Sequence, residues 1–165
     1  MESIINALPS VLNHLSLELP SQTGNDVLQS ISKRLHIIKT LEIQSSHELG
    51  NLCSDSLLNL GRKCLYLNSF SVTSTKSVSD MLFHDSSAFL MLASFPSLRR
   101  ICVKYDSISI NHLSNLLTQS DSLREVILWE RKKWIPSKIW DEMLSKIRSI
   151  NLLFPCCTVV LENTI

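Results

Sequence analysis

Residues 98–128 read LRRICVKYDSISINHLSNLLTQSDSLREVIL and hold one whole structural phrase with the opening of the next. Leu98, Ile101 and Val103 alternate with polar or charged neighbours, and a period near two over that length predicts a short strand with one buried face. Ile108, Leu113, Leu116 and Leu117 then recur at helical spacing. Ser109 or Asn111 can cap that helix, because a side-chain oxygen accepts from its free backbone N–H groups. Ser120 and Asp121 end it, and Leu123, Val126 and Leu128 start the strand phrase again.

Outward from this unit, the phrase returns at Leu12, Leu15 and Leu17; at Ile38, Leu41 and Ile43; at Leu65 and Leu67; and at Val159 and Leu161. Anchored on Leu15, Leu41, Leu65, Ile101, Val126 and Val159, the intervals are 26, 24, 36, 25 and 33 residues. A period in the twenties marks a repeat array. The helical halves show the same consistency. Val27, Leu28, Ile31 and Leu35 share one side; Leu49, Leu52, Leu57, Leu58 and Leu60 make another. Met81, Leu82, Phe89, Leu90, Leu92 and Phe95 form a third, and Ile139, Trp140, Met143, Leu144 and Ile147 follow Pro136 at a helix start. One strand and one helix cannot bury both apolar faces, so neighbours stack and the strands align as a parallel sheet. The expected fold is an α/β solenoid with parallel strands on the concave face and helices on the convex face. It spans residues 1–165 as a single domain of five to six irregular units. A doubly wound sheet would show longer apolar strands and a glycine-rich first turn, and neither is present.

Composition limits the function. The chain has 165 residues, 44% hydrophobic and 19% charged, with three glycines and five prolines, which fits a globular domain. A net charge of +1 gives no electrostatic case for nucleic acid or an anionic membrane, so neither is an expected partner. Arg99, Arg100, Lys104, Arg124, Arg131, Lys132 and Lys133 nevertheless gather in the C-terminal half. No run reaches the roughly 18 apolar residues of a membrane span. The opening MESIINALPS lacks a basic region and a long apolar stretch, and so makes a poor signal peptide. The five cysteines, Cys53, Cys64, Cys102, Cys156 and Cys157, are odd in number, and no Asn-x-Ser/Thr triplet occurs. Both facts favour a reducing compartment, expected to be cytoplasmic or nuclear. No Cys-x-x-Cys or His-x-x-x-His pair is present, so neither a metal nor a cofactor is expected.

L98RRICV103, L12NHLSL17, I38KTLEI43 and L123REVIL128 resemble the Leu-x-x-Leu-x-Leu strand of the leucine-rich-repeat family. The ISINHLSNLLTQSDSL segment is similar to the helical half of two subclasses. These are the cysteine-containing repeats of F-box substrate receptors and the ribonuclease-inhibitor-like repeats of nucleotide-binding immune receptors. The resemblance implies a protein-binding array, with substrate recognition for a ubiquitin ligase or ligand sensing in an immune receptor as alternatives. The family places Asn or Cys three positions after the last strand leucine; here Pro20, Ser46, Phe70, Asp106, Arg131 and Thr164 stand there. The array is therefore degenerate. No phosphate-binding loop of the G-x-x-x-x-G-K-[ST] type occurs.

His14, His36, His47, His84 and His112 fall in different units, and the carboxylates share no motif, so enzyme activity is not expected. His14 could form a catalytic pair with Glu18 or Glu42 across the sheet, but exposed polar residues are common on a strand face. Side chains alternate across a strand, so residues between the buried leucines should line the concave face. Binding of a protein partner is accordingly expected through Glu18, Glu42, Tyr66, Lys104, Arg124 and Trp129, with Trp129 either the anchor or a residue that covers the end of the core or packs under the loop at Trp134. Trp, Tyr and Arg are the types that dominate interface energies. Neither end carries a polar cap, which points to end-to-end association or to a longer array.

Overall fold

The structure, a computed structural model, describes residues 5, 7–19, 24–45, 52–74, 86–104, 109–130 and 135–163. Six strands form one parallel sheet: β1 (His14–Leu19), β2 (Thr40–Ser45), β3 (Ser69–Ser74), β4 (Arg100–Lys104), β5 (Glu125–Glu130) and β6 (Thr158–Asn163). They lie in chain order, β1-β2-β3-β4-β5-β6, and the sheet is open. Five helices connect them: α1 (Gly24–Arg34), α2 (Ser54–Lys63), α3 (Ser86–Leu90, continued by a 3-10 turn over Met91–Ser94), α4 (Ile110–Gln119) and α5 (Ser137–Leu153). Parallel crossovers are right-handed, so strands added always on the same side place every connecting helix on the same face.

The register explains the sequence phrase. Leu15, Leu41, Phe70, Ile101, Val126 and Val159 stand side by side in one row across all six strands. All six are buried and share one core with Leu28, Ile31, Leu57, Leu60, Leu116 and other helix residues. The third unit is the correction. Leu65 and Tyr66 form the turn after α2, and the strand phrase is Leu67, Phe70 and Val72. Phe70 thus occupies the middle leucine position rather than the Asn/Cys position expected of it. The row residues are consequently 26, 29, 31, 25 and 33 positions apart.

The passage from helix to strand is nearly invariant. Leu35, Cys64, Phe95 and Ser120 each follow a helix and stand six residues before the next row residue. Phe154 stands five before Val159. The turns repeat their hydrogen bonds: the N–H groups of Ile38, Leu67 and Leu98 donate to the carbonyls of Leu35, Cys64 and Phe95. Neighbouring units are then joined by shared acceptors. The carbonyl of Asn13 accepts from Lys39 and Thr40, that of Lys39 from Asn68 and Ser69, and that of Asn68 from Arg99 and Arg100. Backbone polarity that a turn would otherwise leave unmet is satisfied by the next unit.

Local chemistry sets the helix ends. The Ser109 hydroxyl accepts from the His112 N–H at 3.2 Å, which selects Ser109 over Asn111 as the α4 cap. Asp26 stands in the first turn of α1 and Lys33 and Arg34 in its last, matching the helix dipole at both ends. On α5 the buried stripe is Trp140, Met143, Ile147 and Ile150, whereas Ile139 is exposed and Leu144 half-buried. The expected stripe therefore runs one turn further toward the C-terminus and omits Ile139. Met81 and Leu82, expected in the third helix, lie outside the described residues.

Asn151 at the end of α5 makes two short bonds to β6. Its amide nitrogen donates to the Val159 carbonyl at 2.9 Å, and its oxygen accepts from the Val159 N–H at 2.7 Å. Thr158 N–H points at β5, where it donates to the Arg124 carbonyl. Alternation therefore turns the Val159 backbone toward the free edge. Among the described residues, Asn151 covers that rung of the β6 edge.

Burial pushes the Cys64 and Cys157 thiols up to about 11. In the unfolded chain the same thiols ionise near their ordinary value of about 9. Their contribution to stability is complete below pH 9 and is lost as pH rises through 11. Denaturant melts at pH 8, 9.5 and 11 should show falling stability, and a double Cys64→Ala/Cys157→Ala variant should flatten that alkaline decline. An unchanged decline in the double variant would assign it to other groups.

Candidate functional site

The strand residues between the core rows face away from the helices and form the outer face of the sheet. One row across it is Ser16, Glu42, Ser71, Cys102, Ile127 and Val160. A second begins with Glu18, Gln44 and Thr73, and Lys104, Trp129 and Glu162 continue it on the later strands. Over β1 to β3 this face is a low floor of hydroxyl and amide side chains from which two carboxylates rise. Glu18 is exposed and Glu42 half-buried, as the strand alternation predicts. Register sets Thr40 beside His14, Gln44 beside Glu18 and Ser16 beside Glu42, and no hydrogen bond joins the three titratable groups among the described residues.

The same face changes character at β5. Ile127 and Trp129 are buried even though they point away from the helices. The Trp129 indole reaches past β4 and donates from Nε1 to the carbonyl of Val72 on β3, at 3.2 Å. The sheet makes room for this bond. Pairing between β3 and β4 runs only from Ser69/Arg100 to Ser71/Cys102, while their outer neighbours pair over five or six residues. Trp129 supplies a donor where the ladder has ended. Its predicted role as an exposed anchor is corrected: with 4% of its surface accessible it is a structural wedge. Sequence alternation placed it on the right face, but nothing in the pattern disclosed the shortened ladder.

Two other predicted residues sit elsewhere. Tyr66 lies in the turn before β3, not on the outer face, because the strand begins at Ser69. Arg124 precedes β5 and folds back, its Nη1 donating to the carbonyls of Asp121 and Leu123 at 2.8 Å each. Both belong to the rim where helices end and strands begin. Lys104 closes β4 beside Trp129 in register, and its side chain lies outside the described residues. So do Pro20, Ser46, Asp106, Arg131 and Thr164, the positions of the expected Asn/Cys ladder.

Electrostatics on the outer face are mild. Arg100 and Glu125, adjacent in register, form an ion pair at 2.9 Å. Burial raises the Cys102 thiol above its usual range; a hydrogen bond involving Ser71 and the charge of Arg100 oppose that rise, and the charges of Glu162 and Glu125 add to it. Among the described residues no three His, Cys, Asp or Glu side chains converge on a metal-sized site. No helix among them is long and apolar enough to cross a membrane. Comparison with protein-family models, curated proteins and solved structures found no significant match for this chain.

Proposed function

We propose that this chain is a leucine-rich-repeat solenoid that acts as a non-catalytic interaction module, meeting a protein partner through the outer face of its sheet. The observation that carries the reading is the six-strand parallel sheet in sequential order, with its core rows in register and its other face polar over β1 to β3. Such a surface is wide and shallow, suited to a folded partner more than to a small substrate. Glu18 and Glu42 are the charges of its β1 and β2 part, and a partner carrying Arg or Lys opposite them would complement them. Trp129 supports the floor from within instead of anchoring the partner.

The test is partner recovery with paired surface variants. Cross-linked complexes are recovered from cells for the native chain, for Glu18→Lys/Glu42→Lys, and for a helix-side control, Gln29→Lys/Asn115→Lys. The outer-face variant should reduce the recovered partner at least about tenfold, because like charges across an interface cost several kcal/mol. The helix-side control should leave recovery unchanged. Loss in the control with retention in the outer-face variant would move the site to the helices.

A further inference from the structure

The rim where helices end and strands begin carries a concentration of charge that the net value of +1 conceals. Residues 31–40, 60–69, 91–100 and 116–125 make up this passage in four units and contain eight Lys or Arg against two acids, Asp121 and Glu125. Lys33, Arg34, Lys39, Arg62, Lys63 and Arg99 are all exposed. Among the described residues the one ion pair on this rim is Arg100–Glu125. Cations in the last helical turn answer the helix dipole, which accounts for Lys33, Arg34, Arg62 and Lys63. It does not account for Lys39 and Arg99, which stand beyond the helices. Their carbonyls belong to the shared-acceptor series with that of Asn68 between them, so Lys39 and Arg99 stand two units apart along one line.

Apolar side chains are set among these charges. Val11, Ile37 and Tyr66 occupy the same place in three successive turns, four residues before the row residues Leu15, Leu41 and Phe70. They are 69%, 37% and 61% exposed, and Leu65 beside Tyr66 is 51% exposed. Strands lie about 4.8 Å apart, so the three turns fall within about 10 Å of one another. Serines take the place at positions 97 and 122, which separates this apolar group from the exposed Leu152 and Leu153 where α5 ends at the far side of the rim.

We infer that this rim docks on the surface of an anionic lipid bilayer, with Val11, Ile37, Leu65 and Tyr66 entering the headgroup region and the Lys and Arg side chains contacting lipid phosphates and carboxylates. Charge complementarity favours an anionic surface. The shape of the patch selects a bilayer over an acidic polypeptide: its apolar groups are exposed turn residues, which can enter a soft interface but do not enclose a partner side chain. Aliphatic and aromatic groups ringed by Lys and Arg are the composition that interfacial binding uses. Arg100 and Glu125 are shared with the outer face of the sheet, where they pair with each other; Val11, Ile37, Lys39, Lys63, Leu65, Tyr66 and Arg99 stand outside its rows, so this site is distinct from the Glu18/Glu42 surface.

Co-sedimentation with vesicles tests the inference on the full chain. Vesicles of phosphatidylserine and phosphatidylcholine in a one-to-three ratio should bind it, pure phosphatidylcholine should not, and added salt should release it. Each cation near an anionic surface is worth about fivefold in binding, so Lys39→Gln/Lys63→Gln/Arg99→Gln should weaken it about a hundredfold. Leu65→Ser/Tyr66→Ser should weaken it about tenfold or more and leave less binding in high salt. These positions are exposed, and unchanged thermal melts will confirm that the variants fold. Equal binding to both vesicle types, or to all variants, would overturn the inference. So would rim-dependent binding to polyglutamate without binding to vesicles, which would assign the rim to an acidic protein.

Discussion

Trp129→Ala should lower the unfolding free energy by about 3–5 kcal/mol, the range for emptying a buried aromatic site. The indole is almost wholly buried, and its N–H is bonded to the Val72 carbonyl at a point where the β3–β4 ladder has stopped. Trp129→Phe separates the two contributions. It keeps most of the ring volume but leaves a buried carbonyl without this donor, which costs about 1–3 kcal/mol. Equilibrium unfolding in guanidinium, followed by far-UV circular dichroism, would measure both. A loss under about 1 kcal/mol for the alanine variant would mean that the wedge is not supporting the sheet. A phenylalanine variant as stable as the native chain would remove the indole bond from the account. Against the usual stability of 5–15 kcal/mol for a domain, the alanine variant approaches the limit of folding.

Gly61→Ala should destabilise the protein although alanine is the better helix former. Gly61 lies inside α2, and a Cβ there would sit 2.8 Å from Cδ2 and 2.9 Å from Cε2 of Phe95. Phe95 is itself buried, so its ring could yield only by moving within the core. Overpacking of this kind costs about 1–3 kcal/mol, against about 1 kcal/mol gained from helix propensity. The larger Gly61→Leu should exceed the alanine cost and lose cooperative unfolding. A double-mutant cycle with Phe95→Leu gives the decisive reading: the penalty of Gly61→Ala should shrink by about 1 kcal/mol or more when the ring is gone. A stabilising Gly61→Ala in the native background would show that α2 and the turn at Phe95 are not packed this closely.

The residues that could be read from sequence are those whose meaning is periodic. Leu98, Ile101 and Val103 declared a strand, Ser109 or Asn111 marked a helix start, and the outer-face positions of Glu18 and Glu42 followed from alternation alone. Tyr66 was misplaced because Leu65 and Leu67 mimic a strand pair, while the true strand uses phenylalanine in the leucine position. A fixed spacing of six from helix end to row residue would have recovered it, since Cys64 to Phe70 repeats Leu35 to Leu41. Trp129 was legible as to face but not as to exposure, because its burial depends on β3, some 57 residues away. The basic rim was hidden for another reason. Its cations lie in separate stretches of sequence, and summing them with acids elsewhere gives nearly zero.

The helix-to-strand spacing of six residues has a counterpart on the opposite side of each unit. From a row residue to the next helix end the chain takes 20, 23, 25, 19 and 28 residues. All but one residue of the variation in unit length is therefore accommodated in one half of the unit. One border of the molecule behaves as a ruler, with graduations set by strand spacing; the other is an editable margin. Insertions in that margin can lengthen a unit without moving any side chain on the ruled border out of line. A descendant of this chain could thus vary one border freely while preserving, residue for residue, whatever the other border recognises.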